Sequence, residues 1–493
     1  MENFLTALGA FLVDPIGILY FMAALIGGLI FGSIPGLSTI TLAAIVLPFT
    51  ALMEPLHAIM VFAVMYVSGC YGGAVTAILF NIPGSPNNAP TVFDGYPMTL
   101  KGESGKAIGA AIMCSAIGGL ASVILMMMAT ESIAEWALKT FGPPEVFALI
   151  FFGLVMVGAV GAKSTWKGLL SVSIGLMVAT VGVDPAVGET RFDFGSSFLL
   201  GGIGFVPLVL GFFAISEVMV QGHRIAAGLR LPPKIGIAFP KFLEFWRLRY
   251  AMARSIFLGF FAGILPGIGA ILAAFLSYSI AVRFSPHPER FGKGELEGVV
   301  ASETANNAAT GAAIIPLLAL GLPGGALTAV MMGAFEIHGL EPGPLVFATN
   351  IELIWGIFVA MFLANIAIFG LGYFETKTII HLLRIPFSLL APSILLVSTI
   401  GAYALRNTLL DVWVMFIAGI AGYFLRRWGY SMAGIVIGAI LGKLGESAFV
   451  KSMQLMEYNY LGFFERPIAA TLIILAMLSV VYGAYRSVRK PRP

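Results

Sequence analysis

The sequence predicts an all-α polytopic membrane protein that contains two inverted repeats, re-entrant hairpins and broken helices. Three observations predict this fold. The 493 residues are 59% hydrophobic and only 11% charged, a composition typical of integral membrane proteins. Pro-Gly pairs interrupt apolar segments at related places in the two halves. Basic residues lie in short loops, where they set orientation. The loop after the second Pro-Gly pair is basic in the first half but contains no Lys or Arg in the second half. The chain length accommodates about 10–12 membrane segments.

The first repeat is predicted over residues 1–222. No Lys or Arg precedes Lys101, and the positive-inside rule therefore places the N-terminus and the early loops in the periplasm. Lys101 and Lys106 should then be cytoplasmic. Residues 223–253 contain the most basic loop and are predicted to be a cytoplasmic linker. Spans are expected near residues 107–130, 146–161, 167–183 and 198–219.

The second repeat is predicted over residues 254–450. Ser255–Val282 is too short for two spans, and basic residues flank both of its ends, so we expect a re-entrant hairpin with its tip at Leu265–Gly269. Gly298–Ile337 should cross once, with an interruption at Leu322-Pro323-Gly324. Residues 451–493 should add one helix and a basic cytoplasmic tail. Further spans are expected near residues 350–374, 386–404, 409–425, 431–449 and 467–485.

An internal repeat connects the interrupted segments. GSIPGLSTITLAA (Gly32–Ala44) matches GILPGIGAILAA (Gly263–Ala274), and Phe80–Pro97 matches Gly321–Val330 around a second Pro-Gly. Each half then has one hairpin and an odd number of crossings, which inverts the second half; such repeats are typical of secondary transporters. Simple helix kinks are the alternative interpretation of the Pro-Gly pairs. The residues assigned to these breaks are Pro35, Gly36, Pro83, Gly84, Pro266, Gly267 and Pro323.

Polar residues beside the breaks predict a cavity that binds a ligand. The stretch SETANNAATG (Ser302–Gly311) lies in an apolar region without Lys or Arg between Lys293 and Lys377. Neutral donors, namely amides, hydroxyls and helix N-termini, are therefore expected to hold the ligand. Hydrogen bonds to neighbouring helices are the alternative role of Asn306 and Asn307. The predicted substrate-binding residues are Ser38, Thr39, Asn81, Ser85, Asn87, Asn88, Thr91, Asn306, Asn307, Thr310, Gly324 and Thr328.

The coupling ion is predicted to be Na⁺ or H⁺. Backbone carbonyls at the breaks could bind Na⁺, whereas proton coupling needs a carboxylate such as Asp94, Glu303 or Glu336. A turn at Asp94-Gly95 and a capping or snorkelling role for Glu303 are the alternatives. No cofactor and no metal site are expected, because the histidines are scattered. Cys70 and Cys114 lie in apolar stretches and are interpreted as core residues.

Long motifs resemble a known family. They are NIPGSPNNAPTVFDGYPM (Asn81–Met98), Leu265–Phe284, Gly298–Gly325 and HGLEPGP (His338–Pro344). The chain resembles the large membrane subunit of the tripartite tricarboxylate transporter family. This resemblance implies a bacterial inner-membrane permease that is driven by an ion gradient, as secondary transporters are. It implies uptake of tricarboxylates, dicarboxylates or aromatic acids. The implied partners are a periplasmic solute-binding protein and a small membrane subunit of about four helices.

A symporter and an intramembrane enzyme are the alternatives to a tripartite permease. A self-sufficient cation/carboxylate symporter without a binding protein is the main alternative. An intramembrane enzyme would need paired acids, or a nucleophile with a base, and the sequence has no DDxxD, HExxH or GxSxG motif; we therefore expect no enzymatic activity. The short basic loops are interpreted as orientation signals, so no nucleic-acid partner is expected. Homo-oligomerisation stays open.

Overall fold

A computed structural model of the chain describes residues 2–34, 37–160, 164–184, 188–224, 238–265, 269–382 and 387–489. The predicted breaks Pro35, Gly36, Pro266 and Gly267 lie outside the described residues. Helices make up nearly all of the described structure. In the first half they are α1 (Glu2–Leu12), α2 (Pro15–Ser33), α3 (Thr39–Val46), α4 (Pro55–Phe80), α5 (Ala89–Leu100), α6 (Ser104–Thr140), α7 (Pro143–Val160), α8 (Thr165–Ala179), α9 (Ser197–Leu200), α10 (Phe205–Val209) and α11 (Ser216–Arg224).

The second half is built in the same way. Its helices are α12 (Phe242–Arg247), α13 (Arg249–Gly263), α14 (Gly269–Phe284), α15 (Leu296–Ala312), α16 (Ile315–Leu320), α17 (Ala326–Ile337), α18 (Pro344–Thr349), α19 (Ile351–Leu382), α20 (Phe387–Ala404), α21 (Leu409–Arg427), α22 (Met432–Leu455), α23 (Gly462–Glu465) and α24 (Pro467–Arg489). A π-helical segment, Leu210–Ile215, joins α10 to α11. Short 3₁₀ turns occupy Leu47–Leu52, Pro86–Asn88 and Pro288–Arg290.

The lengths and composition of these helices confirm an all-α polytopic membrane protein. Seven described helices are long and apolar enough to cross a membrane, and further apolar helices are shorter. One difference from the prediction is an antiparallel pair of short strands, β1 (Gly182–Val183) and β2 (Thr190–Arg191), between α8 and α9. The inverted relation of the two halves and the predicted domain bounds stay predictions.

Helices α4 and α16 each end just before a Pro-Gly pair, and a residue in the left-handed conformation follows each of them. Asn81 follows α4 with a φ of 60°, and Gly321 follows α16 with a φ of 71°. A left-handed residue commonly ends a helix, and a proline soon after it prevents the helix from continuing. We call residues 81–88 break 1 and residues 321–325 break 2. Both interruptions lie where the sequence predicts them.

The segment predicted to cross once between Gly298 and Ile337 contains an additional interruption. Helix α15 ends at Ala312, and α16 begins at Ile315. Pro316 has no N–H and therefore cannot donate a helical hydrogen bond to Ala312. The result is a polar helix, a short apolar helix and a third helix, all within the predicted span.

The predicted hairpins are each flanked by two helices. Helix α2 is followed by α3, and α13 is followed by α14. We call the segment between α2 and α3 (residues 34–38) tip 1, and that between α13 and α14 (residues 264–268) tip 2. Both α2 and α13 pack against the helix that follows their hairpin, α4 and α15 respectively.

Glycines allow the backbones of these helix pairs to approach closely. A Cβ at Gly32 would lie 2.6 Å from Gly69 O, and one at Gly72 would lie 2.6 Å from Leu29 O. At the corresponding contact of the second half, a Cβ at Gly259 would lie 2.5 Å from Ala305 O. Small residues at such positions are common in membrane helix pairs, because dispersion contacts replace the hydrophobic drive.

Candidate functional site

A cavity of about 550 Å³ lies between break 1, break 2 and the starts of α3 and α14, the helices that follow the two tips. This volume falls in the range of about 300–1,000 Å³ that small-molecule sites occupy. The segments that bring these elements to the cavity are 37–40, 82–87, 269–271 and 324–327. Residues of α4, α7, the π-helical segment, α11, the end of α21 and the start of α22 also line it.

Tip 1 contributes Ser38 and Thr39, as the sequence predicts. Ser38 caps α3, because its hydroxyl accepts a hydrogen bond from Thr41 N at 3.2 Å. Thr39 packs against the bare backbone of Gly69 on α4, where a Cβ would lie 1.9 Å from its hydroxyl. Thr41 in turn donates to Phe213 O at 3.2 Å. The start of α3 is therefore fixed to both α4 and the π-helical segment.

Break 1 contributes four of the predicted residues to the cavity wall, namely Pro83, Gly84, Ser85 and Asn87. Asn88 lies behind this wall and is fully buried. Ser85 donates to Asn88 Oδ1 at 2.7 Å, and Asn88 donates to the carbonyl of Cys70 at 3.1 Å. Break 1 is thus pinned to α4 through Asn88.

Glu303 joins break 1 to α15. Its carboxylate is fully buried, and one of its oxygens accepts hydrogen bonds from Thr91 and from Asn88, the latter at 3.3 Å. The other oxygen accepts a hydrogen bond from Asn307 at 3.4 Å. Because Asn88 also binds Ser85, a hydrogen-bonded chain leads from the cavity wall to a buried carboxylate.

Several other predicted residues lie away from the described cavity wall. Asn81 is exposed and ends α4. Asn307 donates to Ser115 at 2.8 Å, and Thr310 donates to Asn307 O at 2.7 Å. Thr328 accepts a hydrogen bond from Gly325 N at 2.7 Å and starts α17.

Two further predicted residues, Asn306 and Pro323, are buried. Asn306 is fully buried, and its amide has no hydrogen-bond partner among the described residues. Pro323 is buried in break 2, next to Gly324, which does line the cavity.

The surroundings of Asp94 indicate a structural role. Its carboxylate accepts hydrogen bonds from Gly294 N, Glu295 N and Tyr278 Oη, each at 2.8 Å. These contacts hold the segment that precedes α15. The expected turn at Asp94-Gly95 is wrong, because both residues lie inside α5.

Sequence reasoning missed an ion pair in the cavity wall. Arg426, at the end of α21, donates through Nη1 to Glu217 on α11 and through Nη2 to Phe212 O at 3.0 Å. Gln221 donates to the same carboxylate at 2.8 Å. From the sequence, Arg426 is one of the basic residues that indicate only the orientation of the spans. No local pattern marks it, because only the tertiary fold brings it to the tips and breaks.

The fold and its cavity define a class, the polytopic membrane proteins whose broken helices surround a cavity, an arrangement typical of transporters. Residues 18–437 match the profile described as the tripartite tricarboxylate transporter TctA family. The chain belongs to this family and is therefore a permease subunit. Transporters of the family use a binding protein and a small membrane subunit.

Two relatives come from Agrobacterium vitis. An uncharacterized 52.8 kDa protein in the TAR-I ttuC' 3' region is 34% identical over 483 residues, which cover 97% of this chain and 95% of that protein. An uncharacterized protein in the TAR-II ttuC' 3' region is 37% identical over 234 residues, 48% of this chain and 97% of that protein. No solved structure matches the chain.

Proposed function

We propose that this permease takes up small organic carboxylates from a periplasmic binding protein, together with a small membrane subunit, and that an ion gradient drives the uptake. Family membership supports the tripartite assembly. The observation that supports the transport site is the cavity, since segments beside both tips and both breaks meet there. Such a site, formed by interrupted helices from both halves of a chain, is the arrangement on which alternating access depends.

The binding chemistry comes from polar groups in the cavity wall. Ser38 and Asn87 can donate hydrogen bonds to a carboxylate without a large desolvation cost, because they are only partly buried. Backbone N–H groups at the starts of α3 and α17 add donors, since the first N–H groups of a helix have no partner inside it.

Ion coupling is assigned to Glu303. Carboxylates at membrane depth are costly and usually functional, and this one is connected to the cavity through Asn88 and Ser85. Either a proton or Na⁺ would neutralise Glu303. Neutralisation changes which hydrogen bonds the carboxyl group can make, and so changes how break 1 is held against α15.

Reconstitution tests the proposal. The permease, its small subunit and the cognate binding protein are placed in vesicles, and the uptake of radiolabelled citrate, succinate and benzoate is measured. We expect accumulation of one of them only when the binding protein and a Na⁺ or H⁺ gradient are both present. Uptake that continues without the binding protein would instead favour a self-sufficient symporter.

A variant pair tests the coupling residue. Glu303→Gln keeps the shape of the side chain but cannot be neutralised by an ion, so we expect gradient-driven accumulation to be lost while substrate exchange between the two sides persists. Glu297→Gln is the matched control on the same helix, because Glu297 lies at its first turn, with Ser285 as a partner at 2.8 Å. Equal accumulation in Glu303→Gln and the wild type would refute the assignment.

A further inference from the structure

The ion pair between Arg426 and Glu217 is the one charged pair in the described cavity wall. The residues that line the cavity include no other Arg, Lys, Asp or Glu in the part of the chain that the structure describes. The Arg426 side chain is 25% exposed, and that of Glu217 is 12% exposed. The Arg426 side chain is therefore the more accessible member of the pair.

The chemistry of this guanidinium matches that of the transported class. Arg presents a planar fork of donors that fits a carboxylate with two parallel hydrogen bonds. In this structure the Arg426 guanidinium already donates a hydrogen bond to a carboxylate, that of Glu217. A substrate carboxylate entering the cavity is therefore chemically equivalent to the group that Arg426 binds now.

We propose that Arg426 is the carboxylate-binding residue of this cavity and that Glu217 is an internal competitor for it. Glu217 holds the guanidinium in the absence of substrate and releases it to a substrate carboxylate. The inference rests on the proposed function and adds the residue that selects for anions. It also changes the expected binding chemistry, which the sequence had limited to neutral donors.

The surrounding contacts leave both Glu217 and Arg426 with a hydrogen-bond partner during this exchange. When Arg426 turns to a substrate, Gln221 can continue to donate to Glu217, which it binds at 2.8 Å. Arg426 can keep its contact with Phe212 O, at 3.0 Å, through its second nitrogen. A buried charge that loses its partner costs free energy. The hydrogen bonds from Gln221 and to Phe212 O reduce this cost.

The exchange is also connected to tip 1. Phe212 and Phe213 lie in the π-helical segment, where the irregular hydrogen bonding leaves carbonyls available to side chains. Arg426 binds the first of these carbonyls, and Thr41 binds the second at 3.2 Å. A change in how Arg426 is held therefore reaches the helix that follows tip 1.

Equilibrium binding to the purified complex of permease and small subunit tests the proposal. The probes are radiolabelled citrate, succinate and benzoate, and the variants are Arg426→Gln, Arg426→Lys and Glu217→Gln. Arg406→Gln is the matched control. Arg406 also pairs with a carboxylate, Asp411 on α21 at 2.8 Å, and with a backbone carbonyl, but it does not belong to the described cavity wall.

We expect opposite effects from the two partners of the pair. Arg426→Gln should raise the Kd of the bound probe about tenfold to a hundredfold, the usual range for loss of a charge-assisted hydrogen bond. Arg426→Lys should recover only part of that loss. Glu217→Gln should lower the Kd, because the competing charge is gone, and Arg406→Gln should leave the Kd unchanged.

Two results would overturn the inference while the proposed function stands. One is an unchanged Kd in Arg426→Gln. The other is equal weakening by Arg426→Gln and Glu217→Gln, which indicates a purely structural pair. Wild-type complex that binds none of the three probes would instead overturn the proposed function, and the inference with it.

Discussion

Break 2 contains two adjacent glycines that should respond very differently to one added methyl group. Gly324 and Gly325 both line the cavity. A Cβ at Gly324 would lie 2.3 Å from Ala313 O and 2.9 Å from Ala313 Cα, whereas one at Gly325 would meet nothing within 4 Å. The φ of Gly325 is −175°, an extended conformation that alanine adopts without strain.

The expected loss of stability in Gly324→Ala follows from the contact between the added methyl group and the backbone of Ala313. Backbone atoms of Ala313 would have to retreat by about 1 Å, and forcing a methyl group into a packed interior costs about 1–3 kcal/mol. Alanine also restricts the unfolded chain, which offsets about 0.4–1 kcal/mol at either position. We therefore expect Gly324→Ala to destabilise the permease by about 1–2 kcal/mol and Gly325→Ala to be neutral or slightly stabilising.

The melting temperatures of these variants can be measured through the cysteines of the chain. Its two cysteines, Cys70 and Cys114, are free and buried, so a thiol-reactive dye gains fluorescence when the protein unfolds in detergent. Gly324→Ala should melt at a lower temperature than the wild type, and the displaced break should weaken carboxylate binding. Equal melting temperatures for Gly324→Ala and Gly325→Ala would refute the packing argument.

Two further predictions concern carboxylates outside the cavity. Asp94→Asn should lower the melting temperature, because an amide cannot replace a carboxylate that accepts three hydrogen bonds, including one from Tyr278; a variant as stable as the wild type would contradict the structural role. A backbone hydrogen bond from Gly17 is the main cause that lowers the pKa of Asp14, at the start of α2, below 3.8, and His57 adds to it. The resulting stability is complete above pH 3.8 and is lost as the pH falls through the lowered pKa. Asp14→Asn should therefore melt earlier than the wild type at pH 7, and the difference should shrink as the pH falls below 3.8; a constant difference would exclude this carboxylate as its source.

The fold could be predicted largely from the sequence because its signals are local. Hydropathy marks the spans, and the Pro-Gly pairs that begin at Pro83 and Pro323 each follow shortly after the end of a helix. The interruption before Pro316 was missed, although it has the same cause. The apolar run around that proline conceals the break, because hydropathy does not report on backbone hydrogen bonds.

The site could be predicted only where it coincides with those local signals. Ser38, Ser85 and Gly324 lie beside breaks and line the cavity. Glu303 was a candidate, but its partners Asn88 and Thr91 are 215 and 212 positions away in the chain, so their hydrogen bonds follow only from the tertiary fold. Arg426 was missed for the same reason, because its role depends on α11, which is distant in sequence.

The glycine contacts between α2 and α4 have a mechanical consequence. A shift of one helix along the other would bring side chains to places where even a Cβ has no room, such as Gly32 against Gly69 O. We therefore expect the two helices to move as one rigid body during the transport cycle. Hinges in proteins lie at a few residues where elements end. The rotation should accordingly be concentrated just after Ser33 and at Asn81, where the two helices end, and these positions lie next in sequence to segments that line the cavity, which begin at Leu37 and Ile82.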